Sequence, residues 1–134
     1  MFELIRTFNG IDFDVRFENK VNLFSGLSGE GKTFLFTVLE DYFMLNDINY
    51  QYYNSDSLRF GIRELISGCD GKKIIIFDNA DLYLTQELLD YAVNIADTLI
   101  ISMKVYCKLK FTDYDFYEVN YNENRLVVRK EDEI

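Results

Sequence analysis

Ile74-Ile75-Ile76-Phe77 is an unbroken apolar run set between Lys72-Lys73 and Asp78. A strand with one wet face alternates apolar and polar residues, so a strand without alternation must be covered on both faces. Such strands belong to the middle of a parallel sheet, whose crossover connections lay helices over both sides. Residues 98–102 (TLIIS) repeat the pattern. Between the two runs, residues 84–96 (LTQELLDYAVNIA) carry Leu88, Leu89, Ala92, Val93 and Ala96 on one helical face, with Thr85 or Asp81 as the cap. Strand, helix, strand is the repeating unit of an α/β fold.

The rest of the chain extends that unit. Residues 2–8 and 12–17 flank Asn9-Gly10-Ile11, and Phe13, Val15 and Phe17 alternate with Asp14 and Arg16, as in a hairpin with one solvated face. A third strand is predicted over 20–25 and a helix over 33–46. The broad face of that helix holds Leu35, Val38, Leu39, Tyr42 and Met44 or Leu45. A short strand fits 49–53 and a short helix fits 58–67, followed by a turn at Gly68-Cys-Asp-Gly71. Residues 115–121 and 125–130 predict a closing hairpin around Asn122-Glu-Asn124. The expected architecture is a three-layer α/β sandwich. Its central sheet is mostly parallel, with antiparallel hairpins at the N- and C-terminal ends. At 134 residues, without a linker or internal repeat, residues 1–134 read as a single domain.

Charge and composition exclude several function classes. Lys plus Arg total 14 against 23 Asp plus Glu, a formal net charge of -9. That surface repels phosphate backbones, so nucleic acid is not an expected partner. No stretch reaches the ~18 apolar residues of a membrane helix, and the first residues are not those of a signal peptide. Cys69 and Cys107 are unrelated in spacing and read as reduced thiols of a cytoplasmic protein. The chain has no His, which removes the Ser-His-Asp triad and most zinc sites.

Chemistry concentrates where the third strand meets the first long helix. Gly26-Leu27-Ser28-Gly29-Glu30-Gly31-Lys32-Thr33 matches G-x-x-x-x-G-K-[ST] in full, between an apolar strand and a helix. Gly26, Gly29 and Gly31 let the backbone curl so that its N–H groups face inward beside the helix N-terminus, a ready anion site. The expected nucleotide-contacting set is Gly26, Leu27, Ser28, Gly29, Glu30, Gly31, Lys32, Thr33 and Phe34. Lys32 reaches the β- and γ-phosphates of a nucleoside triphosphate, and the Thr33 hydroxyl reaches Mg²⁺. The second metal ligand is expected to be Asp78, which ends the IIIF strand. Hydrolysis also needs a group that orients water. Asn79, which follows Asp78, can hold a water by hydrogen bonds but cannot accept a proton. Asp81 is a substitute base, and Lys104, beyond the TLIIS strand with Ser102, can stabilise charge.

With these motifs in place, the chain resembles the nucleotide-binding core of the ABC-type ATPases, a branch of the P-loop NTPases. NLFSGLSGEGKT (22–33) is similar to Walker A and KKIIIFDNAD (72–81) to Walker B. DTLIISMK (97–104) resembles the strand that ends in the family's switch histidine, and residues 115–130 resemble its terminal hairpin. AAA-type ATPases are a second match through Asp78-Asn-Ala-Asp81. The resemblance implies ATP with Mg²⁺, and it sets Asn79 where the family has a catalytic glutamate and Lys104 where it has the switch histidine. Gln51 falls to the metal-sensing glutamine by letter alone. No LSGGQ-like signature precedes Walker B. The expected function is therefore Mg-dependent ATP binding with weak or partner-dependent hydrolysis, and a switch role toward a protein partner. The alternatives are an active ATPase using Asp81 or a residue in trans, a small-molecule kinase, and a non-enzymatic interaction scaffold. Phe8 or Phe13 is the candidate to stack on the base. The aromatic hairpin face of Tyr114, Tyr117, Val119 and Tyr121 either covers the core or meets a partner.

Overall fold

The computed structural model describes residues 2–8, 10–25, 32–104 and 108–130. The fold is α/β. Eight strands, β1 (Phe2–Phe8), β2 (Ile11–Phe17), β3 (Val21–Ser25), β4 (Tyr50–Tyr53), β5 (Ile74–Phe77), β6 (Thr98–Met103), β7 (Tyr114–Asn122) and β8 (Arg125–Lys130), form one sheet. Three helices accompany them: α1 (Lys32–Leu45), α2 (Ile62–Cys69) and α3 (Gln86–Ile95). The strand order is β1-β2-β8-β7-β3-β6-β5-β4.

The sheet is mixed. The strands β7, β3, β6, β5 and β4 are mutually parallel. The two predicted hairpins, β1-β2 and β7-β8, are antiparallel, and a parallel β2-β8 pairing joins them. The β7-β8 connection has the backbone that a primed turn requires, with Glu123 and Asn124 at φ 46 and 64. Between β1 and β2, Gly10 takes φ 77.

Both apolar runs are covered on both faces, as their pattern demands. Ile74, Ile76 and Ile100 pack with Leu35, Phe36, Val38, Leu39 and Phe43 of α1. Ile75, Phe77, Leu99 and Ile101 pack with Leu65 and Cys69 of α2 and Leu88, Leu89 and Ala92 of α3. Full burial of each Leu, Ile, Val or Phe among them is worth about 1.5–3 kcal/mol. The terminal strands close over the α1 side, adding Leu4, Phe13, Val15, Phe17, Leu126 and Val128 to that core. Rings fill the join, with Phe2 against Phe43 at 5.3 Å and Phe17 against Tyr117 at 5.3 Å.

Several expectations shift. Met44 and Leu45 are exposed, and Phe36 and Phe43 take the inner places, because the hairpins cover a wider arc of α1 than one sheet face would. The middle helix begins at Ile62 rather than 58. Asn54 and Ser57 form a reciprocal capping box that winds Ser55–Arg59 into a separate 3-10 turn, and α2 starts after Gly61. It runs through Gly68 to Cys69, and the turn is confined to the residues before Lys72, where Gly71 takes φ 74. Thr85, not Asp81, caps α3, accepting from the Leu88 N–H at 3.2 Å. Tyr117 and Val119 are core residues, whereas Tyr114 and Tyr121 are exposed. Tyr114 differs from Tyr117 in strand parity and points to the other face. Cys69 is a buried free thiol, and Cys107 lies outside the described residues.

Candidate functional site

Parallel strands put the ends of β3, β4, β5 and β6 at one edge of the sheet. Open α/β sheets bind ligands in the crevice outside such carboxyl ends, where neighbouring connections leave toward opposite faces. Here β3 leads to α1 on one face, while β4 and β5 lead to α2 and α3 on the other.

Register then sets Asp78 against the end of β3. Phe24 of β3 pairs with Ser102 of β6, and Phe77 of β5 pairs with Ile101. Asp78 therefore stands level with Ser102, one intervening strand from the end of β3. Two strand spacings are roughly 10 Å. Alternation along β5 turns Asp78 to the face of Ile74 and Ile76, which is the α1 side. Gly26, Leu27, Ser28, Gly29, Glu30 and Gly31 lie outside the described residues, between β3 and α1. Thr33 opens α1 beside Lys32, so its N–H is among the four that a helix start leaves without an intrahelical acceptor. The N–H of Phe34 is another, and its ring is partly buried against the core, 5.7 Å from Phe13 and 5.6 Å from Tyr121.

Asp78 is held on every side. Ser102 Oγ donates to its Oδ1 at 2.6 Å and Tyr52 Oη donates to its Oδ2 at 2.7 Å. Tyr83 Oη donates to its carbonyl at 2.7 Å, and its own N–H donates to the Tyr53 carbonyl at 2.8 Å. Hydroxyls that donate to a carboxylate form short, charge-assisted bonds. Burial first, and then the Asp78 charge, push the ionisation of Tyr52 and Tyr83 upward, so both phenols remain neutral donors.

Asn79 explains its own residue type. It takes φ 52, ψ 45, at the point where β5 turns into the 3-10 segment Ala80–Leu82. Asn tolerates this left-handed backbone, and a glutamate would be strained there. Its N–H donates to Ser102 Oγ at 3.1 Å, so one hydroxyl serves both Asp78 and the turn. Asp81 accepts from the Lys104 N–H at 3.2 Å and ties the end of β6 to that turn. The Lys104 residue is exposed.

Among the described residues no cluster of three or more His, Cys, Asp or Glu side chains comes together. An all-protein calcium or zinc cage is thus not formed by them. A single carboxylate is as much as Mg²⁺ needs from a protein when water and phosphate supply its remaining ligands. Asp78 has lone pairs to spare after accepting two bonds.

Two other sequence expectations change. Gln51 alternates with Tyr52, and its side chain lies by Gly68 of α2, where an added Cβ would meet Gln51 Cδ at 3.7 Å. It is therefore on the face opposite Asp78. Phe13 is buried in the core and is not a base-stacking residue; the Phe8 side chain is outside the described ones. Sequence reasoning missed Tyr52. Its signal is parity: in a strand 50–53, residue 52 shares a face with the residue that follows IIIF.

No family model, curated protein or solved structure matches the chain. No described helix is long and apolar enough to cross a membrane.

Proposed function

We propose that the chain binds a nucleoside triphosphate with Mg²⁺ at the carboxyl edge of β3, β6 and β5, as a reduced P-loop domain of the three-layer type. One observation carries the reading. The G-x-x-x-x-G-K-[ST] segment joins β3 to α1, and Asp78 stands level with the end of β3 on the same face of the sheet. The loop's N–H groups and Lys32 would hold the phosphates, and Thr33 and Asp78 would hold the ion, which neutralises phosphate charge when bound.

This chain's own residues give little to hydrolysis. Asn79 has no basic group, and Asp81 has one oxygen engaged with the Lys104 backbone. Turnover is therefore weak, or depends on a base that a partner supplies. The adenine preference rests on the ABC-like resemblance.

The experiment is a thermal unfolding series with Mg-ATP, Mg-GTP and no nucleotide, on the wild type and on Lys32→Ala. Ligand that binds only the folded state raises Tm, by about 2.7 kcal/mol of added stability at a hundred times Kd. The expected result is a shift in the wild type that Lys32→Ala loses. No shift at millimolar nucleotide would sink the reading. Phosphate release beside the same control measures turnover.

A further inference from the structure

β1 is an edge of the sheet: β2 pairs with one side of it, and no described strand lies on the other. Edge strands are commonly blunted by shortness, lysine, proline or a bulge. The opposite edge, β4, is four residues long. β1 runs for seven residues in unbroken register with β2 and holds neither Lys nor Pro. The N–H of Asp12 donates to the Asn124 carbonyl at 2.8 Å, toward β8, so Asp12 and its partner Thr7 exchange no backbone bonds. Antiparallel alternation then turns the N–H and C=O of Glu3, Ile5 and Thr7 out from the sheet edge. These residues are exposed, Ile5 at 51%, and the set is symmetric about Ile5. Leu4 and Arg6, on either side of Ile5, line a crevice between β1 and α1 with Val38, Tyr42 and the exposed Leu45. The Arg6 guanidinium lies over the Tyr42 ring at 5.1 Å, folded back onto its own α1.

We propose that this edge is the interface of a homodimer, in which β1 of a second copy pairs antiparallel with β1 about a two-fold axis at Ile5. An antiparallel partner must present outward groups at the same spacing. A second β1 does so residue for residue: Ile5 meets Ile5, and Glu3 and Thr7 meet each other. Each outward N–H and C=O gains a partner, and no like charges stand opposite, since Glu3 faces a hydroxyl and Arg6 faces Leu4. The axis is perpendicular to the sheet and keeps both α1 helices on one face. Leu45 of each copy, beside Leu4 and Arg6, is thereby brought toward the axis, where its exposed side chain can be covered. The net charge of -9 on each copy opposes association, so the dimer is tighter at higher salt. Nothing in this pairing depends on nucleotide.

The test is sedimentation equilibrium of the full chain at low and high salt, with circular dichroism to check folding. Wild type should reach the dimer mass by about 100 µM, more readily at high salt. Ile5→Lys sets like charges directly opposite each other at an exposed position and should weaken association at least about tenfold while keeping the fold. Cross-linking reads the register, in chains that also carry Cys107→Ser and so keep only the buried Cys69 as a native thiol. Opposed residues of a hydrogen-bonded antiparallel pair have Cα atoms about 5.5 Å apart, within disulfide reach. Ile5→Cys should therefore link to its own copy under mild oxidation. Glu3→Cys should not, because the two copies of that position lie more than about 10 Å apart along the strands. A monomer at that concentration, which leaves the edge to a different protein's strand, would overturn the proposal. So would a dimer as tight in Ile5→Lys as in wild type, or linking by Glu3→Cys as readily as by Ile5→Cys.

Discussion

Ser102→Ala is the perturbation that reaches furthest into the site. The side chain is buried at 2% exposure, and its hydroxyl donates to Asp78 at 2.6 Å while accepting from the Asn79 N–H at 3.1 Å. A hydrogen bond to a charged group contributes about 1.5–3 kcal/mol, and an orphaned N–H adds a desolvation cost. Asp78 and Asn79 are half-buried, so water replaces part of the loss. The net destabilisation is therefore set at about 2 kcal/mol. Unfolding entropy of about 2.1 cal/mol/K per residue gives about 0.28 kcal/mol/K for a chain of 134 residues. Tm should then fall by about 7 °C. Urea unfolding and calorimetry measure it, with the exposed Ser67→Ala as a control expected within about 0.5 kcal/mol of wild type. Because Ser102 and Asp78 share a bond, the double variant Ser102→Ala/Asp78→Asn should lose less than the two single losses together. A fall in Tm no larger than the control's, or additive losses, would refute the idea that Ser102 organises this edge.

Asn79→Ala should lose about 1 kcal/mol because it must hold a left-handed backbone, whereas Asn79→Gly should stay close to wild type; equal costs would remove the conformational explanation for Asn at this position. Alkaline titration probes the buried phenols. Tyr52, Tyr53 and Tyr83 all ionise above the ordinary 10.0, chiefly through burial, so the unfolded chain releases protons first. Their contribution is complete below about pH 10 and disappears as pH climbs through the folded-state values. Denaturant curves from about pH 8 to about pH 11 should show falling stability, less steeply in Tyr83→Phe; an unchanged slope in that variant would exclude Tyr83 as a contributor.

The strands and helices that could be read in advance were those whose apolar spacing matched their surroundings. IIIF and TLIIS had only one way to be buried, and the α3 face at Leu88, Leu89 and Ala92 was legible for the same reason. Met44 and Leu45 were misplaced, and Phe36 and Phe43 passed over, because helical spacing does not reveal how wide the covering surface is. Gln51 and Phe13 were chosen by residue type, and strand parity and packing decided against them. Tyr52 stayed hidden in an aromatic stretch because parity singles it out only once β4 is paired with β5.

Local order along the chain determined the strand and the helix on either side of residues 26–31, the acid at the end of IIIF, and the α/β class, since each depends on neighbours in sequence. Folding alone decided that β6 lies between β3 and β5, that Asp78 stands level with the end of β3, and that hydroxyls from β4 and β6 clasp its two oxygens. Those relations span residues 24 to 102, and strand pairing at such separation is settled by how the whole sheet closes over its two cores rather than by local preference.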